Sequence, residues 1–207
     1  MDKEIKENIS IYEELFPIYT PNYCEMLKYK GEFFIDLYSD LQKIPKERIM
    51  IKDIIYFKHK LWSARMILGI GCELIIRAAY LNKGFIINKF LEKKSLPPKI
   101  KERNFPSKFK DFKHLRNGIY PYLKNKTYSM KDLIEKLPIL FEEDIDKDTI
   151  KGFEISKIWR DIYAHTSEYP YSIYGDENQL IFKALNDLYK KIFNEEFEIL
   201  KDKDLIA

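Results

Sequence analysis

At 207 residues the chain can bury one full hydrophobic core, or one core plus an arm. Its 45% hydrophobic content is ordinary for a globular protein, and 33% charged residues with only seven glycines favour helices over sheets. A net charge of +3 is too small to argue for nucleic-acid binding by itself, and two distant cysteines, Cys24 and Cys72, with no Cys/His cluster, give no basis for a zinc site and fit a reducing cytoplasm.

Residues 1–22 read as an arm. Its start, MDKEIKENIS, is polar and mixed in charge, unlike a signal peptide. Pro17 and Pro21 interrupt any helix there, while Tyr12 and Tyr19 suggest packing on a neighbour. A first helix is predicted from Asn22 or Tyr23 to about Gln42, because Phe33, Phe34, Leu37, Tyr38 and Leu41 recur at three- and four-residue spacing. Gly31 weakens its continuity and Pro45 closes it. The domain division expected from this is an arm and first helix over residues 1–45, then a helical bundle over 46–207.

The second helix starts near Lys46 or Lys52 and runs to Lys83, with Gly84 placed as a left-handed terminator. Ile54, Ile55, Leu61, Trp62, Leu68, Leu74, Ile75, Ala78 and Ala79 make it apolar nearly all round, as in the central helix of a bundle. Arg65, Glu73 and Arg77 break its most apolar stretch, so it is a buried helix rather than a membrane span. Glu73 and Arg77 are spaced for an ion pair, as a structural contact or as the lining of a polar cleft. Gly69 and Gly71 allow another helix to approach closely, or a bend. Cys72, inside this pattern, reads as a buried structural thiol.

Residues 83–113 change composition, with ten Lys or Arg against three acidic residues. Pro97, Pro98 and Pro106 make the stretch irregular. Phe85, Phe90, Phe105, Phe109 and Phe112 alternate with the cations. The mixture suits single-stranded RNA, with lysines on phosphates and rings on bases; the plainer reading is a solvated loop whose phenylalanines plug the core.

His114 to about Tyr122 reads as a short helix ended by Pro121. Ser129 followed by Asp132 reads as a capped start for a helix that reaches Leu137 or kinks at Pro138. The acidic turn EEDIDKD precedes another helix, capped by Asp148 or Thr149, which runs to about Thr166 with Ile155, Ile158, Trp159 and Ile162 as its apolar face. After the loop YPYSIYG, Asp176 caps a last helix to about Leu200, with Leu180, Ala184, Leu185, Leu188, Ile192 and Phe193 as its stripe. No convincing strand alternation appears. The fold class is therefore all-α, an up-and-down bundle of four or five main helices.

Within the penultimate helix, KIWRDIYAHTS gathers acid–base and phosphate chemistry. Arg160 is permanently cationic, with forked donors suited to planar anions. His165 exchanges a proton near neutral pH. Asp161, four residues before His165, shares a helical face with it and is placed to orient the ring. Tyr163 reads as a substrate-stacking residue or as packing. His59 reads as a surface or groove residue and His114 as capping or packing.

This Arg-x4-His spacing, late in a helical chain and after a long apolar helix ending AAYLNKGF, resembles the motif of the HEPN superfamily. The resemblance covers roughly residues 50–200, with Arg160, Asp161 and His165 matching the motif. It implies metal-independent RNA cleavage. The ribose 2′-OH attacks the adjacent phosphate, His165 acts as general acid or base, and Arg160 stabilises the phosphorane. Positions five apart differ by about 140° on a straight helix, so Arg160 and His165 do not project side by side. The resemblance accordingly implies a homodimer in which two copies of this helix build a composite cleft. It also implies RNA as partner, a toxin or antiviral-defence setting, and a cognate antitoxin or nucleotidyltransferase. No metal or organic cofactor is expected. The alternative is a non-catalytic HEPN-like module that binds RNA, a nucleotide or a protein; a purely structural scaffold is the third reading.

Overall fold

The computed structural model describes residues 21–42, 51–92, 96–101, 105–111, 114–165 and 176–197, with the side chains of 21–22, 51–58, 99, 101, 116–117 and 163–165 outside that description. The expected arm (up to residue 20), the loop 166–175, Phe112 and the chain beyond Phe197 lie outside the described residues.

Among the described residues the protein is a helical bundle with one small two-stranded sheet. Four helices carry it: α1 (Pro21–Gln42), α2 (Ile51–Asn82), α6 (Lys147–His165) and α7 (Asp176–Leu188). Between α2 and α6 come β1 (Asn88–Phe90), the single turn α3 (Pro98–Lys101), β2 (Leu123–Thr127), α4 (Met130–Glu135) and α5 (Leu137–Phe141).

The direction of the long helices follows from who meets whom. The Cys24 thiol donates to the Ala78 carbonyl, while Gly31 abuts Gly71 and Ile75, so α1 and α2 run antiparallel. Tyr38 donates to Asn178 and Tyr189 donates to Glu32, so α1 and the chain of α7 are antiparallel too. Thr149 donates to Asp187 while Gly152 abuts Leu180, which makes α6 antiparallel to α7. The bundle is therefore up-and-down, as the periodicity predicts. Leu27, Ile35 and Tyr38 of α1 sit in the same core as Leu68, Ile75 and Ile76 of α2, Phe153 and Trp159 of α6, and Ile181 and Leu185 of α7. Cys72 is fully buried there, and burial pushes its thiol up to about 12, leaving it inert at neutral pH.

The end of α2 is built as its sequence predicts. Gly84 takes φ of +75°, its N–H donates to Leu81, and Phe85 N–H donates to Tyr80. These two bonds close a Schellman motif, and the Tyr80 and Phe85 rings complete it at 5.7 Å edge-to-face. The Ser129–Asp132 capping box is also present, with both reciprocal bonds formed at the start of α4. The α4–α5 break falls at Lys136, and Pro138 sits in the first turn of α5, where its missing N–H costs nothing.

Other expectations are corrected. Residues 115–119 form a π-helical turn that runs into a 3-10 turn over 120–122, which contains Pro121 rather than ending before it. The cap of α6 is Asp146: its carboxylate accepts from Asp148 N–H at 3.1 Å, ahead of the predicted Asp148 or Thr149. The last helix stops being regular at Leu188, passes through a π turn over Tyr189–Phe193 and ends at Asn194 with φ of +57°. The buried face of α6 is Gly152, Phe153, Ser156 and Trp159, whereas Ile158 is 37% exposed and Ile155 and Ile162 are only half-buried.

The sheet was not legible in the alternation. β1 and β2 pair antiparallel, Asn88 opposite Thr127 and Phe90 opposite Leu123. Between those pairs β1 advances two residues and β2 four, so Lys124, Asn125 and Lys126 lie in a bulge. Ile86, Leu115 and Ile119 form a second small core beneath this ribbon, with Phe90, Phe109 and Leu123 against it.

Candidate functional site at the crossing of α2 and α6

Helices α2 and α6 touch at a point set by Gly69. A methyl group there would lie 2.7 Å from the Cβ of Arg160 and closer still to the Ser156 carbonyl. The missing side chain lets the two backbones meet and brings Arg160 over the next turn of α2. One turn to the other side, the Arg65 guanidinium stacks 4.6 Å above the Trp159 ring and locks the same crossing.

At the crossing, Arg160 Nη1 donates to Glu73 Oε2, pairing α6 with α2. Arg160 Nε and Nη2 donate to Asp161 Oδ1 at 2.8 and 2.6 Å. Lys157 donates to the other oxygen, Oδ2, at 2.9 Å. Glu73 Oε1 accepts from Arg77 Nη2 and Nε at 2.5 and 3.2 Å, forming the predicted i,i+4 pair. Arg77 Nη2 reaches on to the Tyr128 carbonyl at 3.0 Å, and its Nη1 is buried with no hydrogen-bond partner among the described residues.

The result is a chain of charge: Lys157, Asp161, Arg160, Glu73, Arg77. Three cations face two carboxylates, leaving one positive charge in surplus. Arg160 and Glu73 keep 22% and 17% of their side-chain surface, so the seam is shallow but open to solvent. Burial pulls the Arg160 pKa down, but bonds to Asp161 and Glu73 more than compensate, and the guanidinium is held charged. For Asp161, burial pushes the carboxyl up, and the bonds from Lys157 and Arg160 outweigh it, so it lies below the usual carboxylate range.

Arg160 and Asp161, both expected in the site, are thus brought together. The Asp161 contacts go to Lys157 and Arg160. His165 is the last residue of α6, and its side chain, like that of Tyr163, lies outside the described residues. Sequence reasoning noticed Glu73 and Arg77 as a local pair but missed Glu73 as the partner of Arg160, 87 positions away. The signal for it in the sequence was an acidic residue one turn from Gly69, within the most apolar stretch of α2.

The described phenylalanines of the basic stretch all pack on other side chains. Phe85 is buried, Phe105 stacks on Tyr128 with centroids 4.0 Å apart, and Phe90 and Phe109 pack on the small core. For the four described rings this is the packing of the plainer reading; Phe112 lies outside the described residues. His59 is exposed, edge-on to Trp62 at 5.3 Å; the His114 backbone N–H is capped by Asp111 at 2.7 Å.

A separate cleft of about 550 Å³ lies between the α5–α6 turn and α7, lined by Phe141, Asp146, Thr149, Lys183 and Asp187 among others. Lys183 pairs there with Asp146 and Asp187, and Lys191 with Glu143; with Asp144 and Lys190 also on its wall, four carboxylates face three lysines and the cleft has no surplus of positive charge. Among the described residues there is no group of three or more His, Cys, Asp or Glu able to hold a metal, and no helix long and apolar enough to cross a membrane. No protein-family model matches the chain, and no curated protein and no solved structure matches it.

Proposed function

We propose that the protein is a metal-independent endoribonuclease of HEPN type. The observation that carries the reading is Arg160, held at the α2–α6 crossing by Glu73 and Asp161, five residues before His165 on one helix. A fixed, always-charged fork is what a pentacoordinate phosphate needs beside it. In the reaction the ribose 2′-oxygen attacks phosphorus, the P–O5′ bond breaks, and the products are a 2′,3′-cyclic phosphate and a 5′-OH. A base removes the 2′ proton and an acid supplies one to the leaving oxygen; His165 takes one of these roles, and its counterpart in a second copy takes the other.

The outward side of α6 supports the second copy that this reading needs. Ile158 is 37% exposed, flanked by the half-buried Ile155 and Ile162, beside Lys157 and Asp161. This is an apolar strip on which another α6 would pack about a two-fold axis. A reducing cytoplasm, a toxin or antiviral role and a cognate antitoxin or nucleotidyltransferase belong to the same proposal.

One observation favours the alternative, a non-catalytic RNA-binding module: Arg160 is bonded to two carboxylates. The experiment that separates the readings is cleavage of end-labelled single-stranded RNA in EDTA by the wild type, Arg160→Ala and His165→Ala. Cyclic-phosphate products from the wild type, lost in both variants, support the nuclease. Retained RNA binding without cleavage supports the module.

A further inference from the structure

The bulge in β2 is exposed and rests on a buried residue of β1. Asn88 is 4% exposed, and its side-chain amide donates to the Lys124 carbonyl at 3.0 Å. That bond satisfies a carbonyl that the broken ladder leaves unpaired. An unbroken strand would turn alternate side chains inward; here Lys124, Asn125 and Lys126 are all exposed. Three lysines of the surrounding structure have acidic partners: Lys89 lies 3.5 Å from Asp132, Lys108 3.0 Å from Glu142, and Lys131 3.7 Å from Glu135. Lys124 and Lys126 have none among the described residues, and no acidic residue lies in either strand.

The ribbon is also joined to the Arg160 cluster. Tyr128, the residue after β2, gives its carbonyl to Arg77, which shares Glu73 with Arg160. Lys89 of β1 lies 5.5 Å from the centre of the Tyr128 ring. The seam and the ribbon are therefore connected through Tyr128, with Arg77 on one side of it and Lys89 on the other.

We infer that the bulge is a second contact for single-stranded RNA, with Lys124 and Lys126 on backbone phosphates and the Asn125 amide beside them. The position relative to a cut site rests on the nuclease reading; the binding itself does not. Two compact ammonium groups carry no base-reading geometry, so the contact is independent of sequence and sensitive to salt. The competing account is that edge lysines only keep another strand from pairing with β2.

The test is fluorescence anisotropy of a labelled 2′-O-methyl oligouridylate, which cannot be cut by 2′-OH attack, across a salt series. Lys124→Ala/Lys126→Ala is compared with wild type and with the exposed control pair Lys151→Ala/Lys190→Ala. Neutralising one phosphate of a single strand contributes about 0.7 to the slope of log K against log salt, so the ribbon variant should be shallower by about 1.4. The control pair should keep the wild-type slope. An unchanged slope in the ribbon variant, an equal drop in the control, or no binding by the wild type overturns the inference. A cleavage arm separates it from the nuclease proposal. With cleavable RNA, the ribbon variant should raise KM on long strands and leave turnover of a dinucleotide unchanged. If nothing is cleaved, the anisotropy result still decides whether the ribbon binds.

Discussion

Glu73 and Arg160 meet across the α2–α6 crossing, and the same carboxylate holds Arg77 with its second oxygen. One acid thereby fixes two arginines from different positions of the fold. Replacing it with the isosteric amide leaves two guanidinium groups facing each other in a half-buried seam. Glu73→Gln should lose about 2 kcal/mol of stability in urea unfolding, the penalty of cations left without their counter-charge. RNA cleavage, if it follows from Arg160, should fall at least tenfold, about 1.4 kcal/mol in the transition state. A variant that keeps both stability and rate would show that Glu73 is a bystander.

The absent side chain at Gly69 gives a second prediction. Gly69→Ala places a methyl group against backbone atoms of Ser156 and Arg160, which cannot swing aside. The helices must part, at about 2 kcal/mol, and Arg160 moves with α6. Gly118→Ala is the contrast, since its methyl meets only the exposed His114 ring at 3.6 Å. Thermal unfolding should show a clear drop for the first and little change for the second.

The acid limb of stability should depend on Asp161. Burial acts to raise its pKa, the bonds from Lys157 and Arg160 win, and the folded value lies below the unfolded one. A carboxylate of that kind contributes stability above the unfolded value near 3.9, and the contribution fades as pH falls through the lower folded value. Asp146, lowered chiefly by Lys183, and Glu142, lowered chiefly by Lys108, act in the same direction. Asp36, raised by burial and by Asp40, acts in the opposite one. Urea midpoints measured from pH 6 down to pH 3 should fall for the wild type. They should fall less for Asp161→Asn, which has no proton to gain there. Parallel curves would mean that the Asp161 bonds contribute nothing in solution.

What the sequence made legible is what a few neighbouring residues decide. Gly84 ends α2, Ser129 and Asp132 cap α4, and Glu73 pairs with Arg77, all within one turn of chain. The face of α6 was misjudged because it packs through Gly152 and Ser156, which carry little hydrophobic signal yet are what allow close approach to α7 and α2. Of the residues that carry the signal, Trp159 is buried and Ile155 packs on the core's margin, while Ile158 is exposed. The ribbon escaped notice because β1 has three residues and β2 is interrupted by its bulge, so neither has alternation to read. The Arg160–Glu73 pair spans two helices distant in sequence, and only the fold could join them. Arg160 and Asp161 themselves were legible as residue types, because an arginine and an acid beside an i+5 histidine form a local chemical pattern.

The Schellman turn at Gly84 has a mechanical consequence. The ribbon stands on α2 by two feet: Phe85 is tied to Tyr80 at its entry, and Tyr128 is tied to Arg77 at its exit. Both feet fall within a single turn of α2, and Glu73 lies one turn further along the same helix, so the ribbon and the seat of Arg160 share one support.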